Sequence, residues 1–491
     1  MLLSRLVDSL SPRELRATAD PEITSVVYDS RRVSPGALFV CIRGGKFDGH
    51  DFIAQVIEAG ASALVVEDPE RVPADAGIPF VIVPSTRDAL PILGTSFYEH
   101  PSRRLKLVGV TGTNGKTTTT YLIESMLGNA GRPTGVIGTL GARMRGIEVE
   151  TERTTPESVD LQALFARMVS EGIEAAAMEV SSHALYMQRT VGCEFDIGVF
   201  TNLTQDHLDF HRTLEEYFGT KLMLFREYPK RSDKPFTGIV NIDDPYGGRV
   251  VEATDGSVLT YGVRNPADIR ASQVYATARG VEFHTVCPAG EFDVRMRLGG
   301  LFNVYNSLAA VGVGVALGLS VEEIKTGLEA VPAVAGRFES VDCGQDFAVI
   351  VDYAHTPDGL ENVLRSAREI TENRLLVVFG CGGDRDRAKR PIMGRIASEL
   401  ADVCVVTSDN PRTEEPSSIV DEIMTGIDGD RSSVEVDVDR RGAIERALKM
   451  AEPGDIVVIA GKGHETYQVF KNETIHFDDR EVVRELLGCK P

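Results

Sequence analysis

The stretch Lys106-Leu-Val-Gly-Val-Thr111-Gly112-Thr-Asn-Gly115-Lys116-Thr117 decides the fold. An apolar run stops at a glycine-rich turn, and the residues beyond it place Leu122, Ile123, Met126 and Leu127 on one helical face. A strand that delivers a glycine loop into a helix N-terminus is a phosphate cradle. Backbone N–H groups of Gly112, Thr113, Asn114, Gly115, Lys116, Thr117 and Thr118 approach the phosphates, the Lys116 ammonium neutralises the terminal ones, and the Thr117 hydroxyl reaches magnesium. The general pattern wants a glycine where Val110 stands, with Gly109 one position early, so the loop reads as a variant.

Similar apolar runs recur on both sides: Ala175 to Val180, Asp196 to Phe200, Gly238 to Ile242, Phe347 to Val351, Leu375 to Phe379, Val403 to Val406 and Ile456 to Ile459. Helical patterns lie between many of them, which implies doubly wound, mostly parallel α/β sheets. In such sheets ligands sit beyond the carboxyl ends of the strands. Turn-rich segments at His100-Pro-Ser102 and Pro332-Ala-Val-Ala-Gly336 divide the 491 residues into three domains. The expectation is a smaller N-terminal α/β domain (1–100), a central P-loop ATPase-like domain (101–333) and a C-terminal α/β domain (334–491).

Composition narrows the function classes. Hydrophobic residues form 42% and charged residues 25%, enough to bury several cores. A net charge of −21 repels phosphate backbones and anionic lipid at long range, so no nucleic-acid partner is expected. Arg5 and Asp8 interrupt any secretory core, and the least polar stretch, near Ala309 to Val321, is short and broken by glycines, so neither export nor a membrane span is expected. The seven cysteines form no CxxC pair, which speaks against a disulfide framework or a zinc site and for a reducing cytoplasm.

Polar residues at the strand ends carry the chemistry. Glu179 in Met178-Glu-Val-Ser-Ser-His183 and His207 in Thr201-Asn-Leu-Thr-Gln-Asp-His-Leu-Asp209 are candidate ligands of a divalent ion beside the nucleotide. Lys221 by itself reads as a solvated helix lysine. Four clusters mark a second ligand site in the last third: Asp352-Tyr-Ala-His355, Gly380 to Arg390, Ser408-Asp-Asn-Pro-Arg412 and Gly461-Lys-Gly-His-Glu465.

Taken together the motifs resemble the Mur ligases, amide-forming synthetases of peptidoglycan precursors. Thr111 to Thr117, Glu179 to His183, Thr201 to Leu203 with Asp206 to Asp209, Asn303 to Asn306, Gly336-Arg337 and Asp352 to His355 occur in that family's order over nearly the whole chain. Within the family the chain looks most like members that add the third residue to UDP-N-acetylmuramoyl-L-alanyl-D-glutamate. Asp409-Asn-Pro-Arg412 resembles the motif of those that use meso-diaminopimelate.

The resemblance implies a cytoplasmic, ATP-dependent, magnesium-requiring ligase, monomeric, with the UDP end bound by the N-terminal domain, ATP by the central one and the amino acid by a Rossmann-like C-terminal domain (334–491). It implies that Ser30 and the loop Gly44 to His50 meet the UDP moiety, and that Thr154, Thr155, Ser181 and Arg189 meet the muramoyl dipeptide. Lys221 corresponds to a lysine carried as a carbamate formed from CO2, joining Thr117, Glu179 and His207 around magnesium, which reverses its bland reading. Asn306, Arg337 and Asp352 fall to ATP. Arg390, Asp409, Asn410, Pro411, Arg412, Gly461 and Glu465 fall to diaminopimelate. Gln188 departs from the family's spacing and is a doubtful ligand.

A carboxylate is a poor electrophile, so amide formation with ATP calls for an acyl phosphate, attacked by a deprotonated amine. His355 and His207 are candidate bases, beside Lys116, Lys221 and Glu179 as catalytic groups. The competing readings are the lysine-adding ligase of the same step, a folylpolyglutamate synthetase, and a P-loop ATPase switch that ligates nothing.

Overall fold

The computed structural model describes all residues except 12, 18, 46, 206–209, 429–431, 490 and 491. The chain divides into two compact units, one formed by Met1–Leu203, His207–Val240 and Asp244–Leu259, the other by Thr204–Asp206, Asn241–Asp243 and Thr260–Pro491. Three α/β domains with largely parallel sheets are distributed over them.

In the first unit an N-terminal sheet runs in the order Glu14–Arg16, Phe80–Ile82, Ala63–Val66, Ala37–Val40, Ser25–Val27, parallel except for its first pair. Its strands are apolar on both sides because each side has its own core: Leu38, Val40 and Val65 face one cluster, Phe39, Leu64 and Val66 the other. A second sheet places Lys106–Thr111 between Ile197–Phe200 and Ala175–Glu179, all parallel. Consequently the carboxyl ends of both neighbours open beside the glycine loop. Gly109 lies inside the strand, where a Cβ would sit 2.7 Å from the Phe195 ring. It is a packing glycine, which corrects its reading as a displaced member of the loop.

In the second unit Ile269–Ala276, Val281–Cys287 and Gly290–Met296 form an antiparallel ribbon, and Leu301–Ala316 and Val321–Glu329 are helices. The strand Val281–Cys287 alternates buried and exposed residues, the period of a sheet with one wet face. The C-terminal sheet runs Glu339–Ser340, Ala348–Asp352, Ile456–Ala460, Leu375–Phe379, Val403–Val406, Val434–Val436, parallel after the first pair.

The cysteine reading needs correction. Cys343 and Cys489 are joined by a disulfide with Cα atoms 5.5 Å apart, so the cysteines are not all free thiols. A separation of 146 residues left no local spacing to reveal it. Among the described residues no helix is long and apolar enough to cross a membrane, as expected.

Candidate functional sites

The glycine loop is held open by its neighbours. Thr113 N donates to Asn202 O (2.9 Å), Asn114 N to Asn202 Oδ1 (2.9 Å), and Thr201 Oγ1 to Asn114 O (2.6 Å). Gly112 has φ +146°, and a Cβ there would lie 1.9 Å from Thr201 Oγ1, so only glycine admits this approach. Lys116 and Thr117 then open the helix Lys116–Asn129, aiming its N-terminal dipole at the loop. Thr118 is buried in its first turn.

The Lys116 ammonium folds back onto Gly112 O (2.9 Å) and Thr113 O (2.7 Å). Lys221 Nζ reaches the same Gly112 carbonyl at 2.8 Å and stands 4.3 Å from the centroid of the Tyr217 ring. Only 1% of Lys221 is exposed, which overturns its reading as a solvated helix lysine. The signal was available: Tyr217, Lys221, Leu224 and Phe225 fall at i, i+4, i+7 and i+8 on the buried face of Leu214–Arg226.

Glu179, 1% exposed, accepts from Thr117 Oγ1 (2.9 Å), Thr139 N (2.9 Å) and Thr139 Oγ1 (3.2 Å). Gly138 leaves the space, since its Cβ would fall 2.3 Å from Glu179 Oε1. Thr139 was missed by motif reading, because it ends a different strand. Buried carboxylate and hydroxyl oxygens beside a phosphate cradle are the hard donors that Mg²⁺ prefers, so Thr117 and Glu179 fit that ion. His207 and its motif Asp206 to Asp209 lie outside the described residues. Among the described residues no group of three or more His, Cys, Asp or Glu is placed to hold a metal.

The same strand end continues into a polar floor. Thr155 Oγ1 donates to Glu179 O (2.9 Å) and to Ser181 Oγ (3.2 Å), and Ser181 caps Ser182–Tyr186 through Ala184 N. Thr154 pairs with Thr139 at 3.2 Å. Glu157 receives Arg87 (2.8 Å) and stands 3.6 Å from Arg189 Nε. Desolvation first, then the charges of Arg153 and Arg87, depress the Arg189 guanidinium against the support of Glu157. Ser30 sits in the short turn Ser30–Arg32, where Asp29 caps and Arg32 pairs with Asp160 (2.7 Å). Gln188 adopts a left-handed φ of +59°. Of the loop Gly44 to His50, Lys46 lies outside the described residues; His50 is buried with Nδ1 2.6 Å from Asp48.

The second unit holds the other set. Asn306 Nδ2 donates to Asn303 Oδ1 (2.9 Å) on the helix Leu301–Ala316. Asp352 accepts from Phe338 N (2.7 Å) and Ala354 N (2.9 Å), and burial raises its carboxyl against the pull of Arg337. Arg337 stacks over Tyr353, its carbon 5.4 Å from the ring centroid. His464 also meets that ring, at 4.8 Å, and desolvation followed by the charge of Arg337 pushes it down to about 4. His355 is likewise lowered, by desolvation foremost and by the charge of Lys389.

Asp409, Asn410, Arg412, Gly461 and Glu465 converge. Asn410 Nδ2 donates to Glu465 Oε2 (2.9 Å), while Asn410 Oδ1 accepts from Lys462 Nζ (3.2 Å) and Val469 N (3.0 Å). Pro411 leads into Arg412, whose φ of +52° turns the chain so that Nη1 donates to Gly383 O (2.9 Å). Arg390 adjoins this group but is already paired with Glu414 (2.8 Å) and Glu422 (2.8 Å), and also lies near Gly382 O (3.4 Å). Arg390, ahead of the other influences, holds the Glu414 carboxyl down at about 2. Glu414 escaped motif reading because it touches the cluster only through Arg390, 24 residues away in the chain.

Three family models match successive segments: the Mur ligase family catalytic domain at residues 22–98, the Mur ligase middle domain at 110–314, and the Mur ligase glutamate ligase domain at 336–463. The chain is 46% identical over its whole length, and the whole of the relative, to the UDP-N-acetylmuramoyl-L-alanyl-D-glutamate--2,6-diaminopimelate ligase of Syntrophomonas wolfei. It is 47% identical to the enzyme of that name from Bacillus licheniformis, over 95% of this chain and 94% of the other. A solved structure of a ligase of that name superposes with TM-score 0.68 at 32% identity, covering 95% of each chain.

Proposed function

This chain belongs to the Mur ligase family, and we propose that within it the chain joins meso-diaminopimelate to the D-glutamate side-chain carboxylate of UDP-N-acetylmuramoyl-L-alanyl-D-glutamate, in the cytoplasm, with ATP cleaved to ADP and phosphate. The observation that carries the reading is the convergence of Asp409, Asn410, Arg412 and Glu465 at the strand ends of the last domain. The distal carbon of diaminopimelate carries an ammonium and a carboxylate side by side. Arg412 meets the carboxylate with a planar fork, and Asp409 or Glu465 accepts from the ammonium. Lysine lacks that carboxylate and would leave the arginine unsatisfied.

The reading assigns residues 1–100 to the UDP end, 101–333 to ATP and 334–491 to the amino acid. The Gly112 to Thr118 loop takes the phosphates. Lys116 turns from the Gly112 and Thr113 carbonyls onto the γ-phosphate, so that its charge offsets the repulsion between phosphate and substrate carboxylate. Magnesium, when bound, supplies further positive charge at the transferring phosphoryl group, and Thr117 and Glu179 would hold it, together with His207 and a carbamate on Lys221. A carbamate converts a cation beside Gly112 into an anionic oxygen donor. Thr154, Thr155, Ser181 and Arg189 hold the dipeptide so that its carboxylate receives the phosphoryl group, giving an acyl phosphate. The amine of diaminopimelate attacks that carbon, and phosphate leaves. His355, held neutral at physiological pH, is the described candidate to take the amine proton. Asn306, Arg337 and Asp352 are assigned to the rest of the nucleotide.

The test supplies UDP-muramoyl-dipeptide and ATP with either diaminopimelate or lysine, and reads phosphate release and product mass. Ligation of diaminopimelate alone is expected. Equal kcat/KM for lysine would move the reading to the lysine-adding reaction, and ATP hydrolysis indifferent to any amine would end it.

A further inference from the structure

Beneath the amino-acid cluster lies a cation that no motif reading reached. Arg440 is 1% exposed and begins the helix Arg440–Met450, where Asp439 already serves as the cap through Gly442 N. A cation at the positive end of a helix is out of place electrostatically. Its surroundings explain it. Nε and Nη2 bind both oxygens of Asp479 at 2.7 Å, and both side chains are fully shielded from solvent. Asp479 opens the last helix, Asp479–Leu486, where an acid is favoured.

The remaining guanidinium donors point elsewhere. Nη1 donates to Ser408 O (3.3 Å) and Nη2 to Ala460 O (3.1 Å). These carbonyls immediately precede Asp409 and Gly461, and their strands, Val403–Val406 and Ile456–Ala460, are separated in the sheet by Leu375–Phe379. One planar group thus ties two strand ends that share no hydrogen bonds as strands. The fit above it is close: Gly461 has φ +122°, and a Cβ there would lie 2.6 Å from Asp409 Oδ2. Small relative movement of the two ends would displace the Asp409 carboxylate from the Gly461 to Glu465 turn.

We propose that Arg440, anchored by Asp479, is a positioning residue for the amino-acid substrate: it sets Asp409 and the Gly461 to Glu465 turn at the separation that grips the ammonium-bearing end of diaminopimelate. This rests on the function proposed above. Burial works against the charge of Arg440, and the carboxylates of Asp479, Asp409 and Glu465 more than offset it, so the guanidinium stays charged and fully committed.

A buried ion pair is often replaceable by apolar residues without loss of stability, whereas removing one partner strands the other. The test is therefore the double variant Arg440→Met/Asp479→Leu, with Arg440→Lys beside it, in the full-length enzyme. Expected is a rise in KM for diaminopimelate of about tenfold or more, with KM for ATP and for UDP-muramoyl-dipeptide within about twofold of the parent and the melting temperature retained. A double variant that melts normally and keeps the parent KM for diaminopimelate overturns the proposal. Should the double variant not fold, Arg440→Lys decides: a selective rise in the same KM supports the proposal, and an unchanged KM overturns it. Failure of the parent enzyme to ligate diaminopimelate would instead sink the proposed function, and this inference with it.

Discussion

The phosphate cradle and the amino-acid cluster are both built at the carboxyl ends of parallel strands, yet by different means. The cradle is mostly backbone: one loop, one helix N-terminus and a few neighbours such as Thr201 and Asn202 that hold it open. The cluster is mostly side chain, gathered from Asp409 to Arg412 and Gly461 to Glu465 on separate segments. Under the proposed function, the backbone site serves what all substrates of the family share, a polyphosphate. Side-chain sites recognise what distinguishes one amino acid from another.

The contrast can be broken experimentally, beginning where the largest effect is expected. Lys116→Ala is expected to lower kcat/KM about a thousandfold or more, equally for every amine tried, because it removes charge from the shared phosphoryl step. A loss confined to diaminopimelate would erase the distinction between the two sites. Arg412→Ala is expected to cost roughly a hundredfold to a thousandfold in kcat/KM for diaminopimelate while KM for ATP holds steady. Steady-state kinetics with each substrate varied in turn will show whether ATP is also affected, the result that would contradict a dedicated amino-acid site.

Glu179→Gln probes the cradle's buried carboxylate. The amide oxygen can still accept from Thr139 N while its NH2 would donate to the Thr139 hydroxyl, and the charge is removed, so kcat is expected to fall about tenfold to a hundredfold with a higher magnesium requirement. A magnesium titration unchanged from the parent would remove Glu179 from the metal site. The smallest expected effect concerns His464. Unfolded histidine takes up a proton below about pH 6.5, while folded His464 resists until about 4, so stability is lost as pH falls through that window. With its partial exposure discounted, the change is about 1 to 3 kcal/mol, and urea melts of His464→Asn at pH 7 and pH 5 should show a smaller difference than the parent.

Much of the architecture was legible because the buried strands announce themselves as apolar runs and the loop Gly112 to Thr117 is contiguous. The antiparallel ribbon Ile269–Met296 was not recognised, although Val281 to Cys287 alternates with period two. Lys221 shows why a single residue type is a poor guide: its neighbours Tyr217 and Leu224 place it on the buried face of its helix, but nothing about a lysine says so alone. Arg390 shows the reverse, a residue whose type suits a ligand role but whose guanidinium is already engaged by Glu414 and Glu422.

By itself the amino-acid order determined the layered α/β plan, the glycine loop that opens a helix and the polar motifs at the strand ends of the last domain, since each depends on periodicity or on residues close together in the chain. Only the tertiary structure decided that Thr139 would steady Glu179, that Cys343 would meet Cys489, and that Arg440, held by Asp479, would join Ser408 to Ala460. Those partners lie 20 to 146 residues apart. Contacts at such separations follow from the order of strands in a sheet and the packing of helices on it, which no local pattern encodes.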